Sequence, residues 1–317
     1  MANSMLGMPL ATAVLMAQAA DPAYQLFLTG DAADVQPRTM PGFVLAGGSK
    51  DQDAAMRWFL ERSGGGDIVV IRAGGADGYN DYLYKLGKVN SVETILFRSR
   101  EAAADPVILD KIRKAEGLFI AGGDQWNYLR FWKGTPVQQA LQELIDRGVP
   151  IGGTSAGLAV LGEYIFSAEF DTVQSKEALT DPFDKKVAIA RDFLRVPNLG
   201  CLITDSHFTQ RNRMGRLLVF LARMQLESPC KQARGVGVDE RTAVLLERDG
   251  SATVVGEGAA HFVRLRTKPV RWRPQTPVEV PPVDVYSVDR TGRFHVKKWK
   301  GSGGQAKQLT VKAGKVL

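Results

Sequence analysis

The chain has 317 residues, 44% of them apolar and 24% charged, which indicates one or two folded domains and excludes a disordered or fibrous protein. Its net charge of +7 comes from the C-terminal tail, because thirteen lysines or arginines and three acids follow position 263 while the preceding residues sum to −3. The two cysteines, Cys201 and Cys230, lie at no metal-ligand spacing to the three histidines, which argues against any metal site and leaves one disulfide bridge open.

The N-terminal segment, residues 1–38, contains a run of small apolar residues at positions 5–20. The run is too short to cross a bilayer as a helix, and no other stretch is long and apolar enough, so no membrane partner is expected. Ala17-Gln18-Ala19 after an apolar run is typical of a signal-peptidase site, which predicts a signal peptide at residues 1–19 and a secreted or periplasmic protein. The absence of lysine and arginine before Arg38 leaves a cytoplasmic protein as the alternative.

In the region 39–265, short apolar runs alternate with amphipathic segments. The alternation predicts an α/β domain whose mostly parallel sheet has helices on both faces. In such sheets the ligand site lies beyond the carboxyl ends of the strands. Three glycine-rich turns occupy those ends: 47–48, 122–123 and 153–157. The predicted strands are 43–46, 67–72, 94–97, 118–121 and 150–152, and the predicted helices are 51–62, 77–86, 105–115 and 137–147.

Residues 153–157 read Gly-Thr-Ser-Ala-Gly, which is the G-x-S-x-G pattern. A serine at a sharp turn from strand to helix has its hydroxyl pushed out of the sheet, and the flanking glycines leave room for the turn. The pattern therefore predicts Ser155 as a nucleophile. The alternative is a glycine-rich turn that holds a serine without a catalytic role.

His207 follows a predicted strand that ends at Thr204, and a predicted helix begins after Phe208. Histidine is the usual base for a serine nucleophile, although a structural histidine is the alternative. Three arginines follow at positions 211, 213 and 216, where they bind carboxylates or form a solvated surface. Spacing leaves five candidates for the acid that orients the histidine: Glu169, Asp171, Glu177, Asp181 and Asp184.

The pattern changes after about residue 234. Two apolar runs around Asp249-Gly250 predict one β-hairpin, and two runs around residues 289–292 predict a second. Prolines between them mark a linker, so residues 266–317 form a basic, β-rich extension of the domain at 39–265. Such a tail is either solvated or binds anions. No aromatic-interleaved nucleic-acid motif accompanies it, so no nucleic acid is expected as a partner.

Three blocks of sequence together carry a resemblance to a known family. They read AGGDQ at 121–125, GGTSAG at 152–157 and D-x-H-F-x-x-R-x-R-x-G-R-L at 205–217. With these blocks the region from about 40 to 240 resembles cyanophycinase and its relatives, serine peptidases that also include the aspartyl dipeptidases. The resemblance implies a flavodoxin-like three-layer sandwich related to class I glutamine amidotransferases.

The resemblance also implies roles for individual residues. It implies Ser155 as nucleophile, His207 as base and a glutamate after the elbow as the acid, which the Ser-x-Glu step assigns to Glu177. Ser206 departs from the glutamine that cyanophycinases tend to have before the histidine, which puts cyanophycin itself in question. The implied oxyanion-hole residues are Gly123 and Ala156, and the implied substrate-binding residues are Gln125, Asp205, Arg211, Arg213 and Arg216.

The expected activity is therefore hydrolysis of the β-aspartyl-arginine bonds of cyanophycin, a poly-aspartate with arginine joined to each side chain. No metal or organic cofactor is required, the partner is a peptide or polymer substrate, and a homodimer is one expected assembly. The first alternative is a related enzyme that acts on aspartyl dipeptides. A glutamine amidotransferase would need cysteine in place of Ser155, and a non-enzymatic binding protein would not need the full set of catalytic residues.

Overall fold

The computed structural model describes residues 22–267 and 272–317, so the predicted signal peptide lies outside the described residues. The described residues form eighteen β-strands and eight α-helices. The strands are β1 (Tyr24–Gly30), β2 (Phe43–Ala46), β3 (Asp67–Arg72), β4 (Ser91–Phe97), β5 (Gly117–Ile120), β6 (Ile151–Thr154), β7 (Tyr164–Phe166), β8 (Ile189–Arg191), β9 (Leu202–Asp205), β10 (Arg234–Val238), β11 (Thr242–Leu246), β12 (Ser251–Gly256), β13 (Ala260–Leu265), β14 (Val280–Val288), β15 (Arg293–His295), β16 (Lys300–Ser302), β17 (Gln305–Lys312) and β18 (Lys315–Val316). The helices are α1 (Asp53–Arg62), α2 (Asn80–Leu86), α3 (Pro106–Lys114), α4 (Gln125–Trp132), α5 (Pro136–Arg147), α6 (Ala156–Ala159), α7 (Ser175–Thr180) and α8 (Met214–Glu227).

The first sheet has the strand order β1-β4-β3-β5-β6-β2-β11-β12-β15-β16. Its five central strands, from β4 to β2, are parallel. Strand β3 reads DIVVIR and is buried on both faces, as expected for a continuous apolar run in a parallel sheet. Helices α1 and α2 cover one face through residues such as Phe59 and Leu83, and α3 to α6 cover the other through residues such as Ile112 and Leu144.

The α/β class is confirmed. Within the predicted domain at 39–265, six of ten strand pairings are parallel, in line with a mostly parallel sheet, whereas the pairings that involve β1 or the strands after β13 are antiparallel. Among the described strands, four of nine pairings in the first sheet and two of seven in the second are parallel. The later strands follow short connections, which produce antiparallel pairs. The order β4-β3-β5-β6 matches the 2-1-3-4 part of the flavodoxin-like order, but β2, which precedes these strands in the chain, takes the next place.

The second sheet has the order β18-β17-β14-β13-β10-β9-β7-β8, and β7, β9 and β10 are parallel. Helix α8 packs on it through a run of buried apolar residues from Leu217 to Ala222. On its opposite face, Val236 and Phe262 belong to the same core as helices α3 to α6. The second sheet therefore lies directly against the core of the first.

The C-terminal extension belongs to both sheets. The hairpin around Asp249-Gly250 is confirmed, since β11 pairs with β12. The second predicted hairpin is wrong: β14 pairs with β13 and β17, whereas β15 crosses to the first sheet and pairs with β12. Strand β1, within the predicted N-terminal segment, likewise pairs with β4. Both ends of the described chain are therefore integrated into the fold.

Cys201 and Cys230 form a disulfide bridge, which settles the alternative that the sequence left open. The bridge connects the start of β9 to the segment after α8, across a sequence separation of 29 residues. A loop of this length contributes about 3–4 kcal/mol to the free energy of unfolding in the chain-entropy account. Within residues 22–267 and 272–317, none of the helices has both the length and the apolar character that are needed to cross a bilayer.

Candidate active site

The serine turn between β6 and α6 is strained and tightly packed. Ser155 has φ of +53° and ψ of −110°, a conformation that non-glycine residues rarely adopt. A Cβ atom on Gly153 would lie 2.4 Å from the carbonyl oxygen of Gly157, and one on Gly157 would lie 2.0 Å from that of Ile120. Both glycines of the G-x-S-x-G pattern are therefore required by close backbone approach, as the sequence predicted.

The turn that follows β2 connects the segments of the site. Successive carbonyl oxygens of residues 46–48 accept hydrogen bonds from the amides of Ser155, His207 and Arg241 at 3.0, 2.7 and 3.0 Å. Gly48 has φ of +95°, and a Cβ there would lie 2.6 Å from His207 Nε2 and 3.1 Å from Ser155 Cβ. The absence of a side chain at position 48 thus allows the serine and histidine to meet.

Ser155, His207 and Glu240 form a continuous hydrogen-bonded chain. Ser155 Oγ lies 2.8 Å from His207 Nε2, and His207 Nδ1 lies 2.7 Å from Glu240 Oε1. This is the geometry of a nucleophile, a base and an orienting acid. Burial lowers the pKa of His207 below its ordinary value; the hydrogen bond to Glu240 opposes this effect, and the charges of Arg211 and Arg213 add to it. The imidazole is therefore unprotonated at neutral pH and able to accept a proton.

The structure corrects the position of the acid. Glu177 does not contact His207: it accepts a hydrogen bond from the Gln174 amide at 2.7 Å, in a capping box at the start of α7, and pairs with Lys186 at 3.2 Å. Its carboxylate therefore stabilises a helix end instead. Glu240 follows β10, the parallel neighbour of β9, and carboxyl ends of parallel neighbours meet at one edge. That rule was the signal available in the sequence, but the five predicted candidates all precede the histidine, whereas Glu240 follows it.

The two predicted oxyanion-hole residues lie beside the nucleophile. Gly123 and Ala156 line the same cavity as Ser155. Ala156 is the first residue of α6, where a backbone amide has no acceptor within the helix. The Tyr128 hydroxyl lies 2.9 and 3.0 Å from the carbonyl oxygens of residues 121–122 and fixes the turn before Gly123. The arrangement leaves two backbone amides able to face a carbonyl oxygen that reacts with the serine.

Asp205 and Arg216 form a buried ion pair instead of facing a substrate freely. Arg216 Nη2 and Nε donate to the two oxygens of Asp205 at 2.6 and 2.8 Å, and each side chain is at most 4% exposed. Arg216 Nη1 donates to the Thr172 hydroxyl and the Val173 carbonyl at 3.3 and 3.1 Å. All its nitrogens are thus occupied. Both residues nevertheless line the cavity wall, so substrate binding by Arg216 and Asp205 stays a prediction.

Within the described residues, Arg213 forms hydrogen bonds through only one of its three guanidinium nitrogens. Its Nη1 donates to the Ser206 carbonyl at 2.8 Å and lies 3.2 Å from Asp205 Oδ1, whereas Nη2 and Nε have no hydrogen-bond partner within the described part of the chain. Burial lowers its pKa to about 10, so the guanidinium remains charged at neutral pH. Arg213 is therefore a partly buried cation of the site with donors to spare.

The other predicted residues occupy the rim. Arg211 is exposed, with Nε 4.0 Å from Glu240 Oε1, and Gln125 donates to the Phe166 carbonyl at 3.1 Å. The cavity has a volume of about 290 Å³ and is open to solvent. The structure brings together nine of the ten predicted residues in its lining, the exception being Glu177. In residues 22–267 and 272–317, no group of three or more His, Cys, Asp or Glu side chains is arranged to hold a metal ion.

Comparisons with known proteins give a consistent result. Residues 76–254 match the model of peptidase family S51. The chain is 31% identical over 235 residues to a cyanophycinase of Synechococcus elongatus, covering 70% of this chain and 68% of that protein. It is 27% identical over 236 residues to a cyanophycinase of Trichormus variabilis, covering 71% and 74%. A solved peptidase from an acI-B1 actinobacterium has a TM-score of 0.53 at 15% identity, covering 89% of this chain and 98% of that one, which is a likeness of fold alone.

The first prediction concerns Gly48. The Gly48→Ala substitution is expected to lower kcat on an activated ester by about 100-fold or more. The added methyl group would push the serine and the histidine apart by up to about 1 Å, and a displacement of this size is enough to slow the reaction to that extent. Gly78→Ala is the matched control, since a Cβ there would meet nothing within 4 Å. Wild-type turnover in a folded Gly48→Ala enzyme would contradict this account of the site.

The second prediction separates the two glutamates. Glu240→Gln is expected to lower kcat by about 10⁴-fold, because the histidine loses the group that fixes its tautomer and stabilises its protonated form. Glu177→Gln should leave kcat near the wild-type value and lower the melting temperature slightly, through loss of the helix cap. The reverse ranking of the two variants in steady-state kinetics would restore Glu177 as the acid.

Proposed function

The chain belongs to peptidase family S51 and is a serine peptidase, and on this premise we propose that it hydrolyses cyanophycin to β-Asp-Arg dipeptides. Release of that dipeptide leaves the β-aspartyl-arginine bond intact, so the bond that is cleaved is the backbone amide between successive aspartates, rather than the β-aspartyl-arginine bond expected from the sequence. The observation that carries the proposal is the hydrogen-bonded chain from Ser155 to His207 (2.8 Å) and from His207 to Glu240 (2.7 Å). It lies beside a cavity whose lining includes Arg213, a cation with free hydrogen-bond donors. The cyanophycinase relatives give the substrate class.

The proposed mechanism uses only side chains and backbone amides of this site. Ser155 attacks the backbone carbonyl of an arginine-bearing aspartate while His207 Nε2 accepts its proton, and the same nitrogen later returns a proton to the leaving backbone amine of the next aspartate. Glu240 holds the imidazole in the tautomer with the proton on Nδ1 and stabilises the charged form. The amides of Gly123 and Ala156 stabilise the oxyanion of the tetrahedral intermediate. Water then hydrolyses the acyl-enzyme by the same steps.

One cation of the cavity, Arg213, fits a substrate with carboxylates near the scissile bond. Arginine joined through its α-amine to an aspartate side chain keeps its own α-carboxylate, so each aspartate that flanks the scissile backbone amide carries a carboxylate on its side chain. Arg213, partly desolvated and with free donors, is suited to pair with that carboxylate. Because Arg216 is held by Asp205, Thr172 and Val173, the proposed specificity for an acidic group rests on Arg213, with Arg211 at the rim.

Two further predictions, on location and on structural relationship, are part of the proposal. The disulfide between Cys201 and Cys230 supports a secreted or periplasmic location, because such bridges persist in oxidising compartments. The four strands in flavodoxin-like order support the relation to class I glutamine amidotransferases. The homodimer stays a prediction, to be checked by light scattering.

The third prediction tests the reaction. Wild-type enzyme incubated with insoluble cyanophycin is expected to release β-Asp-Arg, detected by mass spectrometry. Ser155→Ala should reduce the rate by about a million-fold, with an unchanged circular dichroism spectrum. If wild-type enzyme leaves cyanophycin intact but cleaves a soluble aspartyl dipeptide, the substrate is the smaller one and the proposal fails in its substrate, though not in its chemistry.

The fourth prediction tests the assignment of the two arginines. Arg213→Ala should raise KM for an acidic β-aspartyl substrate, by roughly 30-fold or more for 2–5 kcal/mol of lost binding, and change hydrolysis of a neutral activated ester little. Arg216→Ala should instead lower the free energy of unfolding by about 3–5 kcal/mol, because it leaves Asp205 buried without its main partner. Parallel loss of both activities and of stability in Arg213→Ala would mean that Arg213 is also structural.

A further inference from the structure

A second cavity, larger than the catalytic one, lies in the C-terminal part of the fold. It has a volume of about 600 Å³ and shares no lining residue with the catalytic cavity. We call it the tail groove and define it by Phe262, Arg264, Tyr286, Trp299, Lys300 and Lys307. Strands β13, β14 and β17 of the second sheet and β15 and β16 of the first form its walls. All of its lining residues follow position 254, where the family match ends.

The floor of the tail groove is formed by the partly exposed rings of Tyr286 and Trp299, which pack on the buried rings of Phe294 and Phe262. The rings of Phe262 and Phe294 stack with centroids 3.8 Å apart, and Trp299 meets Phe294 edge-on at 5.2 Å. The Gly304 amide donates to the Tyr286 hydroxyl at 3.1 Å. The rings are therefore held in place before any ligand arrives, which reduces the entropy lost on binding.

The walls of the tail groove carry excess positive charge. Four cations and one acid line it, which gives a net charge of +3. The acid, Asp284, already accepts from Arg264 Nη2 at 3.0 Å and Arg266 Nε at 2.6 Å. Lys300 and Lys307 have no carboxylate within 4.0 Å in the described part of the chain, where Arg264 Nε is also buried without a hydrogen-bond partner. An aromatic floor below unpaired cations suits a ligand that bears carboxylates.

The groove lies away from the catalytic edge of the second sheet. In the antiparallel pair of β10 and β13, Val238 is opposite Ala260 and Arg234 is opposite Arg264. Glu240 follows Val238, so Arg264 is at the far end of the pair, roughly 13 Å along the strand at about 3.3 Å per residue. A ligand in the tail groove would therefore contact the protein well away from the scissile bond.

We propose that the tail groove is an anchoring site for the polymeric substrate, binding the carboxylates of repeats that lie away from the bond being cleaved. The inference rests on the proposed function for the identity of the polymer. Each repeat presents an arginine α-carboxylate to Lys300 and Lys307 and an aliphatic and guanidinium portion to the aromatic floor. Two weak contacts on one chain raise the local concentration of substrate at the catalytic cavity without any new contact there.

The test uses the full chain and two matched double variants. K300E/K307E reverses the charge of the groove, and K312E/K315E makes the same charge change on exposed lysines outside its lining. Each pair is made in the Ser155→Ala background for co-sedimentation with insoluble cyanophycin, and in the active enzyme for kinetics. The kinetic substrates are cyanophycin and a soluble dipeptide of two arginine-bearing aspartates, which contains a single scissile backbone amide. A 30-nucleotide single-stranded DNA serves as a second anionic probe.

The expected result is that K300E/K307E weakens co-sedimentation and slows release from the polymer by about tenfold or more, while hydrolysis of the dipeptide and the control pair stay at wild-type values. Equal effects of the two pairs, or wild-type polymer binding by K300E/K307E, would overturn the anchoring site. Loss of DNA binding with unchanged polymer binding would overturn it in favour of a nucleic-acid site. Failure of wild-type enzyme on both polymer and dipeptide would overturn the proposed function instead, and with it the anchoring inference.

Discussion

The active site depends on one turn, residues 46–48, whose carbonyl groups bind three separate segments of the chain. Ser155 comes from β6 of the first sheet, whereas His207 and Glu240 follow β9 and β10 of the second. The nucleophile and its base therefore belong to different sheets, and the turn at 46–48 connects the two sheets at the active site. A Cβ on Gly47 would lie 2.0 Å from the Asp239 carbonyl oxygen, so close contacts in this turn exclude a side chain at Gly47 as well as at Gly48.

The histidine side of the site is held by a buried ion pair and a disulfide. Asp205 ends β9, two residues before His207, and binds Arg216 of α8 through both of its oxygens. Burying two charges costs free energy, and a pair of this kind contributes little net stability even with good geometry. The ion pair instead fixes the position of the histidine's strand, because it attaches α8 and residues 172–173 to the strand that carries the base. The bridge from Cys201 to Cys230 closes the same strand-helix unit.

Local sequence determined the elements that could be predicted. Strands β2 and β3 begin and end at the predicted residues because each is a short apolar run bounded by glycine or charge. The serine turn was equally local, since its glycines and its serine are within five residues. Glu240 was missed because its contact with His207 depends on which strands are neighbours, and the chain between them contains a helix and a disulfide. The pairing of β14 and β15 failed for the same reason: the runs around residues 289–292 look like a hairpin, but each finds a better partner in a different sheet.

The tail, residues 266–317, is not a separate module. Its role must therefore be studied by substitutions and not by truncation. Strand β14 covers β13 and β15 covers β12, so removing residues 266–317 would expose the edges of both sheets. It would also remove Phe294, which packs on Phe262 in the core shared with helices α3 to α6. A truncated chain would lose activity through misfolding whether or not the tail binds substrate. Since Lys300 and Lys307 contribute charge but no buried apolar contact, substitutions at these positions can separate anchoring from folding.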